Sequence, residues 1–196
     1  MALQLDRADP DIRMQIKKML FTSAKTIEFP DHKVANPDRR MTKVKQNLHD
    51  SSNKEYQPKT RQVRVSEDTS EVRNWLKNQY TNDDDQMVCQ LCKCEMPFKK
   101  LDGEYYFEAV EVLTGDFLPK EHESQFLALC PLCAAKYKVL AKSDENTMQK
   151  LHETLLNSEL SETSEVPLKM GTEDVTIRFC EVHILDLKTV LDAYSK

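Results

Sequence analysis

Apolar residues recur along this 196-residue chain with two different periods. Ile12, Ile16 and Leu20, followed by Ala24, stand four apart and predict a helix that starts at Asp9-Pro10 and ends before Pro30. Asn36-Pro37 repeats the start signal, a capping side chain before a proline in the first turn, and Met41, Val44 and Leu48 form the next stripe. Residues 50–60 read as a polar linker, and 61–66 (RQVRVS) alternate as a half-buried strand does. A short helix capped by Ser70 carries Val72, Trp75, Leu76 and Tyr80 on its inner face. Beyond residue 100 the period shifts toward two. YYFEAVEVL (105–113) predicts a strand, and VPLKM and VTIRFCEV flank Gly171 as a hairpin. Residues 144–158, capped by Ser143, predict an amphipathic helix, and 183–195 a last one.

Glycine and charge divide the same chain near its middle. All three glycines lie past residue 100, which predicts helices and extended segments without tight hairpins before that point. Residues 1–80 hold 16 Lys+Arg against 11 Asp+Glu, whereas 81–196 hold 12 against 22. The expected organisation is a basic, helical extension with one strand over 1–80 and a second unit over 81–196. The densest basic stretch, Lys33 to Arg64, suits an acidic partner or a nucleic acid, while the acidic half argues against the whole chain coating a phosphate backbone. Hydrophobic residues make up only 39% and charged residues 31%, so the core is thin and a metal staple is expected. No apolar run spans a bilayer and the N-terminus has no basic-then-apolar leader, so a cytoplasmic location without membrane contact is expected.

In that setting the six cysteines read as metal ligands and reduced thiols rather than disulfides. Cys89-Gln-Leu-Cys92 and Cys130-Pro-Leu-Cys133 are two C-x2-C knuckles separated by 37 residues. Each turn places two sulfurs on one side, and together they offer four soft thiolates for a closed, tetrahedral structural Zn²⁺ site. Cys94 is a candidate substitute ligand or free thiol, and Cys180, among apolar neighbours, a small core residue. Stripping the metal is expected to unfold residues 81–140 and to spare the N-terminal helices.

The order of knuckle, aromatic-acidic strand, loop and LALCPLC opening a helix resembles the treble-clef (ββα-metal) domain of the HNH endonuclease superfamily over residues 86–140. The matching residues are Cys89, Cys92, the strand Tyr106 to Ala109, then Phe126 to Pro131 and Cys133. The resemblance implies an α+β fold with short antiparallel strands around the zinc. The catalytic positions depart from it. Where the family's general-base histidine stands, this chain has Val110-Glu111; its orienting asparagine aligns with Gln125, and the histidine after the second knuckle aligns with Ala134. The implied protein lacks the HNH general base and the second, catalytic metal, so no catalytic residue is assigned. The opening YTNDDDQMVCQLC and the closing VTIRFCEVHILDLKTVL are also similar to modules that end large bacterial proteins with a sacsin-like ATPase region upstream. That implies a place beside an ATP-dependent partner, in phage defence or DNA maintenance.

Three classes of function follow. The first is a binding module for DNA, RNA or a protein. Its phosphate contacts are expected from Lys93, Lys99, Lys100, Lys136 and Lys138 near the knuckles, and from Arg39, Arg40, Lys43 and Lys45 in the basic stretch. The second is an assembly domain, a homo-oligomer or a subunit of a larger protein, paired through the glycine-free helices. The third is a divergent metal-dependent nuclease using Glu111, His122 or His183, with His122 expected in an exposed acidic loop and His183 expected as a structural residue where the hairpin meets the last helix. Glu108 and Glu111, three apart in a strand, are expected on opposite faces. Tyr105, Tyr106 and Phe107 are expected mainly as core residues, with base stacking as the alternative.

Overall fold

The computed structural model describes residues 28–30, 32–51, 68–115, 117–118, 120–157 and 163–194. The expected first helix at Asp9-Pro10, most of the linker and the strand at 61–66 lie outside them. Among the described residues the fold is mixed α and β, with five α-helices and two small antiparallel sheets.

Helix α1 (Pro37–Asp50) starts as the sequence predicts: Asn36 caps it, its Oδ1 accepting from Arg39 N at 3.0 Å, and Pro37 occupies the first turn. Val44 and Leu48 face inward. Helix α2 (Asp68–Tyr80) begins two residues before the expected cap, which places Ser70 inside its first turn. The chain then passes through the first knuckle and a narrow loop to β1 (Glu108–Glu111), shorter than the predicted strand. A single 3-10 turn (Glu123–Gln125) leads into β2 (Phe126–Leu129), which pairs antiparallel with β1, Glu108 opposite Leu129. Helix α3 (Pro131–Leu140) begins inside the second knuckle, between Cys130 and Cys133. Helix α4 (Glu145–Asn157) is capped by Asp144 rather than Ser143: the Asp144 carboxylate accepts from Asn146 N at 3.3 Å and from the Thr147 hydroxyl at 2.5 Å, while Ser143 donates back to the Val139 carbonyl. A carboxylate at the N-terminus also complements the helix dipole.

Strands β3 (Thr163–Met170) and β4 (Glu173–Cys180) form the expected hairpin, with Gly171 at φ +60 in its turn. Val166, Leu168 and Met170 alternate inward, opposite Ile177 and Val175. Helix α5 (Glu181–Tyr194) continues β4 without a loop and is buried along most of its length. Val44, Leu48, Val72, Leu76 and Tyr80 share one apolar core with Leu127, Leu129, Tyr137, Ile177, Phe179, Leu187 and Val190. The described helices of the basic half therefore share a core with the second half of the chain.

A buried polar network ties the helices. His183 lies within the first turn of α5, fully buried. Its Nδ1 pairs with the Tyr80 hydroxyl at 2.5 Å and its Nε2 with the Ser124 carbonyl at 2.9 Å. Trp75, Tyr80 and Phe179 surround the ring edge-on at 4.9–5.6 Å. Nearby, Arg40 on α1 donates two hydrogen bonds, of 2.6 and 2.5 Å, to the buried Asp186 carboxylate on α5. Burial pushes the Asp186 pKa up, and the Arg40 guanidinium opposes that shift.

Burial lowers the His183 pKa from 6.5 to about 3. The unfolded chain then binds a proton that the native state excludes, so the contribution of His183 is complete above pH 6.5 and is lost as pH falls toward 3. Denaturation between pH 7 and 4 should show a stability loss from this site on the order of several kcal/mol. A His183→Gln chain, less stable at neutral pH, should show a flatter decline over that range; an equal slope in both proteins would mean that His183 does not carry it.

Candidate metal centre

The centre grows from two short turns. Cys89 to Cys92 sits between residues that bridge across the chain: Val88 pairs with Glu95, and Thr81 with Met87. The turn closes through Lys93 N donating to the Cys89 carbonyl at 2.9 Å and Cys89 N donating to the Cys94 carbonyl at 2.9 Å. Lys93 adopts φ +61 to make this possible. The absence of glycine before residue 103 therefore does not exclude a tight turn, because a non-glycine residue takes the left-handed conformation at a cost of about 1–2 kcal/mol. The second pair is set by a helix start. Cys130 is the N-cap of α3, Pro131 opens the helix, and Cys133 falls in the first turn, its N–H donating to Cys130 Sγ at 3.5 Å.

The Sγ atoms of Cys89, Cys92, Cys130 and Cys133 all lie within 4.8 Å of one another. Four Zn–S bonds of about 2.3 Å in a tetrahedron place sulfurs about 3.8 Å apart, so the arrangement has the size of a four-thiolate shell. Cys130 N also donates to Cys89 Sγ at 3.4 Å. Cys89, Cys130 and Cys133 are buried and Cys92 is exposed. Without a cation the four thiols share protons. Hydrogen bonds from Cys133 and Cys89 hold the Cys92 thiol down at about 2. Hydrogen bonding with Cys130, Cys133 and Cys92 pushes the Cys89 thiol far up, with burial adding to it. Two thiolates, Cys92 and Cys130, are thus stabilised by their neighbours, and ionisation of Cys89 and Cys133 is opposed, a balance that a divalent cation reverses. The cluster can hold a metal ion. Cys94 is exposed and donates to the Cys92 carbonyl at 3.4 Å, outside the group of four. Cys180 is buried, and its thiol donates to Gln79 Oε1 at 3.4 Å.

Gln90, between the first two ligands, fixes the centre to the sheets. Its side chain is fully buried. Oε1 accepts from Ala128 N at 2.7 Å, and Nε2 donates to the Arg178 carbonyl at 3.1 Å. Its backbone bonds the same two residues, donating to the Ala128 carbonyl at 3.2 Å and accepting from Arg178 N at 2.9 Å. The knuckle is thereby pinned to β2 and β4 together. Sequence reasoning passed over this residue; a buried amide between two ligands leaves no pattern in the chain.

The histidines and acids proposed for catalysis are spent on structure. His122 is buried rather than exposed: Nδ1 accepts from Ser124 N at 3.2 Å and pairs with its hydroxyl at 2.9 Å, capping the 3-10 turn. Glu121 is exposed, Lys120 donates from Nζ to the Leu48 and His49 carbonyls at 3.2 and 3.0 Å, and His122 turns in. Glu108 and Glu111 pair with Lys138 and, at 3.2 Å, with Lys142, so both reach the same helical segment despite their spacing. Val110 and Ala134 are buried in the core, and Gln125 donates from Nε2 to the Lys120 carbonyl at 2.7 Å.

Most candidate phosphate contacts also have partners inside the chain. Lys93 pairs with Glu165 at 3.1 Å, Lys100 with Asp102 at 2.7 Å, Lys136 with Glu173 at 3.6 Å, Lys138 with Glu108, and Arg40 with Asp186. Lys99 lies over the Tyr105 ring at 4.4 Å. Arg39, Lys43 and Lys45 are exposed on α1. No helix of the described residues is long and apolar enough to cross a membrane. Comparison of the chain with protein-family models, with curated proteins and with solved structures finds no significant match to any of them.

Two measurements test the centre. Elemental analysis of the purified chain should find one metal ion per chain; Cys89→Ser or Cys133→Ser should lose it, and Cys94→Ser should retain it. Gln90→Leu should cost about 2–4 kcal/mol in denaturant unfolding, because it strands the Ala128 N–H and the Arg178 carbonyl while leaving all four sulfurs in place.

Proposed function

We propose that the chain is a zinc-stapled, catalytically silent HNH-like module of treble-clef type that binds nucleic acid. The observation that carries this reading is the convergence of four sulfurs from two knuckles within 4.8 Å. Their order along the chain supports it: a knuckle, an antiparallel strand pair, then a helix whose N-cap and first turn supply the second pair of ligands. Four thiolates close the coordination shell and leave no open position for water, which assigns the zinc to folding rather than to hydrolysis. The substitutions at the expected catalytic positions point the same way. Val110 and Ala134 are packed in the core, Gln125 bonds the backbone, and Glu108 and Glu111 are held by lysines. His183 and His122 are buried.

Nucleic acid is favoured as the ligand by the exposed cations of α1. Arg39 and Lys43 stand one turn apart on one exposed face, Lys45 is exposed on the other flank of the helix, and the fourth cation, Arg40, faces inward to Asp186. One face of the helix is thus left cationic, while the acidic residues of the second half hold most of the other candidate lysines.

An electrophoretic mobility-shift series from low to moderate salt tests the reading. Binding should weaken steeply as salt rises, since each phosphate contact releases about 0.7–0.9 of a counterion. Replacing Arg39, Lys43 and Lys45 together by Gln should reduce the salt slope, and plasmid should remain intact with Mg²⁺ or Mn²⁺. Absence of any complex at low salt would refute nucleic-acid binding, and metal-dependent cleavage would refute catalytic silence.

A further inference from the structure

The loop after the first knuckle carries an exposed aromatic pair that neither the metal centre nor the core uses. Residues 97–104 are exposed without interruption, and they include Phe98, half exposed, and Leu101, fully exposed. The loop is nevertheless ordered as a narrow finger. Lys99 bridges to Tyr105, Tyr106 N donates to the Phe98 carbonyl at 3.1 Å, and Lys100 N donates to the Glu104 carbonyl at 2.8 Å. Gly103, at φ +83, closes the tip, donating to the Lys100 carbonyl at 3.0 Å. At the root, Tyr105 and Phe107 are buried, Tyr105 bonds Glu95, and Arg73 lies over the Phe107 ring at 4.3 Å.

Residue alternation in this finger places Phe98 against Tyr106. Their rings are nearly parallel, 9° apart, with centroids at 5.1 Å. The pair is thus a fixed, flat aromatic surface, and its ordering cost is met by the hairpin before any ligand arrives. The charges around it are largely compensated, and Lys99, over the Tyr105 ring, is the cation that stands nearest the pair without a carboxylate bonded to it. Arg73, Lys77, Lys99 and Lys100 stand near the finger, against Glu95, Asp102 and Glu104. Asp102 is held by Lys100, Glu104 by Lys77, and Glu95 by the Tyr105 hydroxyl.

We propose that this finger is a base-stacking platform for single-stranded nucleic acid: an unpaired base extends the Phe98–Tyr106 stack, and Lys99 beside it supplies a cation for the adjacent phosphate. The proposal rests on the nucleic-acid reading above and narrows it to strands with unpaired bases, because a duplex hides the base faces that an aromatic ring needs.

Fluorescence anisotropy with the metal-loaded full chain tests it, using a labelled oligothymidylate and a duplex of the same length at low salt. The single strand should bind more tightly than the duplex. Phe98→Leu, which keeps apolar bulk but removes the π-face, should weaken single-strand binding roughly tenfold, and Phe98→Trp should preserve it. Circular dichroism and metal content of both variants should match the parent, which separates loss of stacking from loss of fold. If the chain binds oligothymidylate and Phe98→Leu binds it equally well, or if duplex binds as tightly as single strand, the platform is refuted while the nucleic-acid reading stands. If neither oligonucleotide binds, both are refuted.

Discussion

Four sulfur atoms from chain segments 37 residues apart share a volume no larger than one coordination shell, and the other contacts of the second half are arranged around that meeting point. Apolar packing does not explain it. Four thiols in contact gain little dispersion energy from one another, and their proton sharing opposes full ionisation. A bound cation turns this unfavourable cluster into a source of folding free energy, on the order of 10 kcal/mol for structural zinc in small domains. That magnitude matters in a chain with 31% charged residues, where net stability is a small difference between large terms.

The centre spreads its order through hydrogen bonds rather than through side-chain bulk. Gln90 transmits the position of the first knuckle to both sheets, and the N–H groups of Cys130 and Cys133 aim at sulfur. A second polar network, Tyr80–His183–Ser124, joins α2, α5 and the 3-10 turn, and the Arg40–Asp186 pair joins α1 to α5. Buried polar groups of this kind add little net stability, but breaking one partner leaves the other stranded at a cost of about 1–3 kcal/mol. They therefore select one packing of the helices over its near alternatives, which the apolar stripes alone leave poorly specified.

Local rules made part of this architecture readable in advance. The Asn36-Pro37 start, the hairpin around Gly171 and the proximity of the four cysteines each follow from a short stretch of chain with a defined geometry. What escaped depends on partners distant in sequence. Lys93 reads as a solvent-facing cation, yet its backbone turns left-handed and its ammonium reaches Glu165 and Thr176. His122 sits among polar neighbours and faces inward because a 3-10 turn needs a cap. A count of lysines measures charge and not its compensation, so the cationic character of the knuckle region was overread, whereas that of α1 persists because Asp186 takes only Arg40 from it.

The lysines opposite β1 bear on chemistry more than on stability. Exposed ion pairs are worth about 0–1 kcal/mol each, so Glu108–Lys138 and the half-buried Glu111–Lys142 contribute little to the fold. Their effect on the carboxylates themselves is larger. A carboxylate that is to hold a catalytic divalent cation must keep its oxygens free, and an ammonium within hydrogen-bond distance competes for the same lone pairs while repelling the cation. Each of the two carboxylates is matched by an ammonium group, so their charge is compensated within the chain.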